Sequence, residues 1–279
     1  MAQIARAQIV KAVAAAETAF GVLAVGGGGR APPEVQAQAM AAAEWWALIS
    51  HGQWRPRPVM LPGVVMPDDP ARWCAGGGLG PGPRNAPGLV RAALLALPQP
   101  AREVCPRRVM MVVDAPIAPH AWRVAEGGVA VLPGRWVRRY AAVAASMTLG
   151  AWVHEMAHLL LDWPDLPDSP CLMGSGARRG GGRDPAPPGL RLRLAAGWMR
   201  EVPATAGLLA NELATDQVAV LRWGSRRIGF SRAGNAVAVD DLDDGDTPLG
   251  IVPLVDGNMP ILATVWADPD CFASRERNA

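Results

Sequence analysis

One segment of the sequence has residue types and a spacing that suit hydrolysis at a metal ion, His154-Glu155-Met156-Ala157-His158. Residues four apart lie on one face of a helix, so both imidazoles can reach a single zinc ion. Glu155 then points at the open position of the metal, where it can take a proton from a bound water. Two of the four histidines of the chain fall in this segment. The pattern predicts a zinc site with Glu155 as general base.

A catalytic zinc needs a third protein ligand, and Asp162 is the nearest carboxylate after the second histidine. A helix rises about 1.5 Å per residue, which would place Asp162 about 12 Å along the axis from His154. One ion cannot bind both residues while the helix stays intact. The third ligand is therefore expected after the helix has ended.

Pro164 marks the place where the helix is expected to end. Proline disfavours a regular helix through the residue before it, so the chain can fold back beneath the metal. Asp165 follows directly and is the predicted third ligand, with Asp168 as a weaker candidate in the same segment. The alternative is that these aspartates are only turn and cap residues.

A rival third ligand lies downstream in Asn211-Glu212-Leu213-Ala214-Thr215-Asp216. This segment has the N-E-x-x-x-D form in which another class of zincin supplies a glutamate ligand, here Glu212. Asp216 would then orient a metal-bound histidine. The segment leads into a strand-like run, Val218 to Trp223, and not into an amphipathic helix. Asp165 is preferred, and Glu212 stays open.

Several segments over roughly residues 40–200 resemble, in order and spacing, the immune inhibitor A family of bacterial zinc metallopeptidases. The clearest are the run from His154 to Leu166, Cys171-Leu-Met-Gly-Ser-Gly176, Pro187-Pro-Gly-Leu190 and Ala196-Gly-Trp198, with weaker matches at Ser50-His51-Gly52 and Pro119-His120-Ala121-Trp122.

The resemblance implies a metzincin-like zincin with His154 and His158 as ligands and Glu155 as base. It also implies Asp165 as third ligand and Met173 as the methionine of a Met-turn beneath the metal. The chain departs from the family in having Leu161 where a glycine usually turns the chain, and Asp162 at the nearby turn position. The interval to Asp165 is also one residue longer than in the shortest form of the motif.

Hydrophobic periodicity predicts an α+β fold with two parts. Residues 1–200 are expected to form a zincin-like domain with a small twisted sheet and a long active-site helix, and residues 201–279 a small β-rich part. Tyr140 is placed at the start of that helix region, away from the ligands. The predicted helices span residues 1–24, 34–50, 89–97, 141–161 and 190–198, and the predicted strands span residues 56–65, 108–113, 129–132, 218–223, 227–230, 236–239 and 261–265.

The composition gives no case for nucleic acid or membrane insertion, because 27 basic residues nearly balance 25 acidic ones and no segment approaches a membrane-spanning length. The four cysteines form no C-x-x-C pair, which excludes zinc ribbons and leaves the disulfide state open. The acidic run Asp240–Asp246 suggests calcium but fails the EF-hand pattern, so a solvated turn is the safer interpretation.

The location of the protein stays open at this level. Resemblance to the immune inhibitor A family implies export. The apolar stretch from Ala12 to Val25 is interrupted by Glu17 and Thr18 and lacks a clear cleavage site, so an ordinary first helix in a cytoplasmic protein is an alternative.

The function predicted from these residues is that of a zinc-dependent endopeptidase acting on a protein or peptide. Two alternatives remain: a catalytically silent zinc-binding module, or a zinc hydrolase of a small amide or a cell-wall peptide. Glu155 argues against the silent module, because a purely structural site needs no base and closes its fourth position.

Overall fold

The computed structural model describes residues 19–26, 32–65, 86–115, 117–123, 128–167, 169–205, 208, 212–223, 225–233, 236–243 and 247–253. These residues form a mixed α and β structure with several sheets, consistent with the α+β class in general. They divide into two compact units, residues 19–164 with 177–186, and residues 165–176 with 187–253.

The first unit contains a five-stranded sheet in the order β2-β1-β3-β7-β4. Four of these strands are parallel, and β4 pairs antiparallel with β7 at one edge. The central strands are almost entirely apolar and buried, as expected for parallel strands covered on both faces. The strands are β1 (Ala19–Val25), β2 (Arg57–Met60), β3 (Arg108–Val113), β4 (His120–Arg123) and β7 (Arg139–Ala144).

Three helices and a hairpin complete the first part of this unit. Prolines stand in the first turn of α1 and α3, where a missing N–H breaks no helical hydrogen bond. The elements are α1 (Pro33–Ile49), α2 (Ala86–Ala96), α3 (Gln99–Val104), β5 (Val129–Leu132) and β6 (Arg135–Val137).

Helix α4 (Leu149–Met156) follows β7 and continues directly into a π-helix, Ala157–Leu161. The irregular segment Ser175–Gly182 has 3-10 character broken by non-helical backbone at Arg179, Gly180 and Gly181, and its residues 177–182 approach Gly150 in the first turn of α4. A Cβ on Gly150 would lie 1.8 Å from the Ala177 carbonyl oxygen, so only glycine allows this approach.

The second unit contains another five-stranded sheet, in the order β12-β11-β10-β9-β8. Its pairs are antiparallel except for the parallel pair of β8 and β9. Its elements are the helix α5 (Leu190–Ala195) and the strands β8 (Arg200–Pro203), β9 (Gln217–Trp223), β10 (Arg226–Ala233), β11 (Ala236–Asp241) and β12 (Thr247–Pro253).

Two predicted helices are wrong where the structure describes them. Residues 141–144 belong to β7 and residues 19–24 to β1, so the helix that carries His154 starts only at Leu149. Both runs are rich in alanine and valine, and a short apolar run does not distinguish a buried strand from a helix. Pairing with β3 on either side decides for the strand in both cases.

Other predicted elements are confirmed, among them helix 34–50 and strands 108–113 and 129–132. The C-terminal strands up to residue 241 also lie close to their predicted positions. Residues 1–18 and 261–265 lie outside the described residues. The domain boundary near residue 200 stays a prediction.

Two of the four cysteines are described, and both are free and buried. Burial raises the pKa of the Cys105 thiol to about 11, with the positive charge of Arg135 opposing the shift. Cys74 and Cys271 lie outside the described residues. Among the described helices, none is both long enough and apolar enough to cross a membrane.

Candidate metal centre

The side chains of His154 and His158 converge. Nε2 of His154 lies 3.1 Å from Nε2 of His158, and the two rings are nearly perpendicular, at 82°. Two ligands of a tetrahedral zinc ion, each about 2.0–2.1 Å from the metal, are about 3.3 Å apart. The pair therefore has close to the separation that one zinc ion requires. Both side chains are half-buried.

The other ring nitrogen of His158 is held by the backbone. Nδ1 of His158 lies 2.6 Å from the carbonyl oxygen of Trp163. A carbonyl only accepts hydrogen bonds, so Nδ1 carries the proton and donates it. The lone pair of the neutral ring is then on Nε2, on the side of His154. This contact fixes both the tautomer and the orientation that a metal ligand needs.

The turn after the π-helix places Trp163 for this contact. Asp162 has φ of +60° and ψ of 28°, the left-handed conformation. This conformation costs about 1 kcal/mol for most residues, and aspartate is among those that tolerate it. The N–H groups of Asp162 and Trp163 both donate to the Ala157 carbonyl. Asp162 thus reverses the chain after the second histidine.

Trp163 is anchored by aromatic packing. It is 2% exposed, and its ring contacts that of Trp46 on α1 edge to face, with 5.9 Å between the centroids. Trp46 also contacts Trp54 at 5.3 Å. These contacts fix the residue whose carbonyl orients His158.

Asp165 is brought near the histidines by the same turn. Consecutive Cα atoms are about 3.8 Å apart, so the Cα of Asp165 lies at most about 7.6 Å from that of Trp163. One ligand atom from each of His154, His158 and Asp165 lies within 4.8 Å of the others. Asp165 itself is exposed. Two imidazoles and a carboxylate form a donor set that fits zinc and leaves a fourth position open.

Met173 is connected to the segment that follows Asp165. The Leu166 N–H donates to the Met173 carbonyl at 2.8 Å, and the Met173 side chain is fully buried. Gly174 is required in this loop, because a Cβ there would lie 2.0 Å from the Ser169 carbonyl oxygen. The loop that contains Met173 therefore supports the backbone next to the candidate third ligand.

The other candidate ligands have different surroundings. Asp168 lies outside the described residues. Glu212 is exposed in a turn before β9, and it is not among the three residues of the cluster found in the described part of the chain. Asp216, which would orient a histidine in the rival arrangement, pairs with Arg200 at 3.2 Å. Asp165 is the acidic residue that the described geometry brings to the histidines.

Glu155 lies on α4 directly after His154 and is 3% exposed. Burial removes its carboxylate from bulk water, which is unfavourable for a charge unless neighbouring groups offset it. A divalent cation bound by the adjacent histidines would do so. The position thus suits a base that acts beside a metal ion.

A surface depression borders His158. Its wall contains Ala121 of the edge strand β4 and Tyr140 of β7, together with Arg139, Leu159, Asp162 and Trp163. Tyr140 is 1% exposed, and burial raises its pKa well above the ordinary value. Its hydroxyl therefore stays protonated. Tyr140 is a residue of β7 and does not precede a helix that begins at residue 141, so it lies on the wall of this depression.

The acidic run proposed as a calcium site has arginine partners where it is described. Asp241, which is fully buried, pairs with Arg226 at 2.5 Å. The Asp243 carboxylate accepts a hydrogen bond from the Arg227 N–H at 2.7 Å. Residues 244–246 lie outside the described residues. Calcium at this turn would have to compete with these bonds.

The chain matches no protein-family model, and no curated protein matches it either. The resemblance to the immune inhibitor A family therefore rests on the segments named above, and the functional argument rests on the geometry of the site.

Proposed function

We propose that this protein is a zinc-dependent endopeptidase with a zincin-like catalytic domain. One observation carries the proposal: the Nε2 atoms of His154 and His158 lie 3.1 Å apart, with the Asp165 carboxylate in the same cluster. The resemblance of residues 40–200 to the immune inhibitor A family supports it. In this proposal His154, His158 and Asp165 hold the metal, and Met173 supports the loop beside it.

Zinc in such a site supplies a Lewis acid that lowers the pKa of a bound water and polarises a carbonyl group. Glu155 accepts the proton of the attacking water and later delivers it to the leaving amine. Glu155 directly follows His154 on α4, and its burial would keep bulk water from competing for that proton. The His158–Trp163 bond keeps the second imidazole in the ligand tautomer.

The edge strand β4 favours a peptide over a small amide as substrate. β4 is the outer strand of its sheet among the described strands, and its Ala121 lines the depression that contains His158. An exposed strand edge offers N–H and C=O groups to which an extended peptide can add as the next strand. A peptide bound in this way would pass beside the metal ligands.

The test is cleavage of an unstructured protein, casein, by the zinc-loaded wild type and by Glu155→Gln. We expect the variant to keep zinc and to lose turnover by about 10²–10⁴-fold, because it lacks the base. Glu34→Gln is the matched control, since Glu34 is exposed in the first turn of α1. Zinc content is measured on every sample.

Equal cleavage by wild type and Glu155→Gln would overturn the mechanism. Bound zinc with no cleavage of casein would favour the catalytically silent module or a hydrolase of a small amide or cell-wall peptide. A library of short peptides and cell-wall fragments then separates those two alternatives.

A further inference from the structure

Two arginines on neighbouring strands contact the end of the π-helix that carries His158. Arg108 begins β3, Arg139 begins β7, and the two residues are directly paired in the register of these parallel strands. The Arg108 guanidinium donates to the Leu159 carbonyl at 3.3 Å and also to the Leu160 carbonyl. The Arg139 guanidinium pairs with the Asp162 carboxylate at 2.7 Å.

The Arg108 contact satisfies groups that a helix end leaves open. The last carbonyls of a helix have no partner within the helix, and a cation is favoured at this end. Both hydrogen bonds come from one guanidinium nitrogen, Nη1 of Arg108. Leu159 and Leu160 directly follow His158, so this contact fixes the backbone of a candidate ligand.

The Arg139 contact fixes the turn. Asp162 is the residue in the left-handed conformation, and the chain reverses there toward Trp163 and Asp165. The Arg139 side chain is only 18% exposed, compared with 46% for Asp162, so a largely immobile cation holds a more mobile carboxylate. The ion pair therefore connects the sheet to the residue that directs the Trp163 carbonyl at His158.

We propose that Arg108 and Arg139 are positioning residues that set the metal affinity of the site, which we call the arginine clamp. The inference rests on the proposed function, because it assumes that His154, His158 and Asp165 bind zinc. Neither arginine is a ligand or a catalytic residue. The clamp holds the π-helix and its turn in the ligand geometry before the metal arrives.

The decisive experiment measures the Zn²⁺ dissociation constant by competition with a chelator, without substrate. Asp162→Asn keeps the size of the side chain and tolerates the left-handed backbone but removes the charge. Arg139→Gln removes the other partner. We expect each to weaken zinc binding about 10-fold to 100-fold, the usual effect of losing a group that orients a ligand.

The double variant Arg139→Gln with Asp162→Asn separates the pair from unrelated damage. If the two residues act as one unit, it loses no more affinity than either single variant. Arg138→Gln is the matched control, because Arg138 is exposed and adjacent in sequence, and it should bind zinc like the wild type. Arg139→Lys should bind zinc more tightly than Arg139→Gln, since lysine restores the positive charge but not the planar guanidinium with its paired donors.

Arg108→Gln tests the second arm of the clamp, with far-UV circular dichroism as the check on folding. If Arg108→Gln does not fold, Asp162→Asn still tests the clamp, because Asp162 is exposed. Zinc binding by the wild type with unchanged affinity in Asp162→Asn and Arg139→Gln would overturn the clamp and leave the metal site standing. Absence of zinc binding by the folded wild type would overturn the proposed function itself.

Discussion

The turn after the π-helix and the turn after β11 both contain arginine–aspartate contacts. In the first, Arg139 binds Asp162 and Arg108 binds backbone carbonyls, and the nearby His154, His158 and Asp165 form the candidate cluster. In the second, the Arg226 guanidinium binds Asp241 and the backbone N–H of Arg227 binds Asp243. Both regions appear as acidic segments in the sequence.

The difference shows that the partners of a carboxylate decide its role more than the number of carboxylates does. At the helix end the arginines fix the backbone and the turn, and two imidazoles supply most of the donor set. In the β11 turn the Arg226 guanidinium neutralises Asp241, while Asp243 accepts a hydrogen bond from the backbone N–H of Arg227. Buried Asp241 therefore has a structural role, because the half-exposed Arg226 compensates its charge.

Among these tests, the largest change in zinc affinity is expected from the loss of a histidine ligand. We expect His158→Ala to weaken zinc binding by more than about 100-fold, the upper end for losing a group outside the coordination shell. The variant loses a ligand and the bond to Trp163 together. Zinc affinity is measured by chelator competition, with His51→Asn as control because asparagine tolerates the positive φ of His51. Wild-type affinity in His158→Ala would contradict the assignment.

An intermediate effect is expected in the β11 turn. Arg226→Gln should lower the free energy of unfolding by about 2 kcal/mol, because it leaves the buried Asp241 charge without its guanidinium. Urea denaturation measures this change. Zinc affinity should stay the same, and Arg222→Gln, at an exposed position on β9, should change neither quantity. A loss of zinc affinity in Arg226→Gln would mean that the two turns are not independent.

The smallest expected effect concerns calcium. Because arginines hold Asp241 and Asp243, we expect millimolar Ca²⁺ to leave the melting temperature of the wild type unchanged. Thermal denaturation with and without Ca²⁺ checks this, with Mg²⁺ as the control for ionic strength. A calcium-specific rise in melting temperature would show that the β11 turn binds the ion despite its arginines.

Local patterns predicted most elements where they are long or bounded by clear turn residues. Helix α1 and strand β3 lie at their predicted positions, since periodicity and flanking prolines are properties of the chain itself. Residues 141–144 of β7 were predicted as helix. These alanine-rich residues form a strand because β3 pairs with them, and that pairing is not encoded locally. Tyr140, just before them, therefore lines the depression that also contains His158.

The candidate site, like the fold, was predicted only in part from local sequence patterns. The His-Glu-x-x-His spacing by itself determined that two imidazoles and a carboxylate share a helix, because helical periodicity depends only on nearby residues. The sequence also indicated that the chain must turn before Asp165. Only the tertiary structure decided how it turns: a left-handed Asp162, the Trp163 carbonyl on His158, and arginines from β3 and β7. The arginine contacts join residues distant in the chain, 51 positions apart for Arg108 and Leu159 and 23 for Arg139 and Asp162, so no local pattern could specify them.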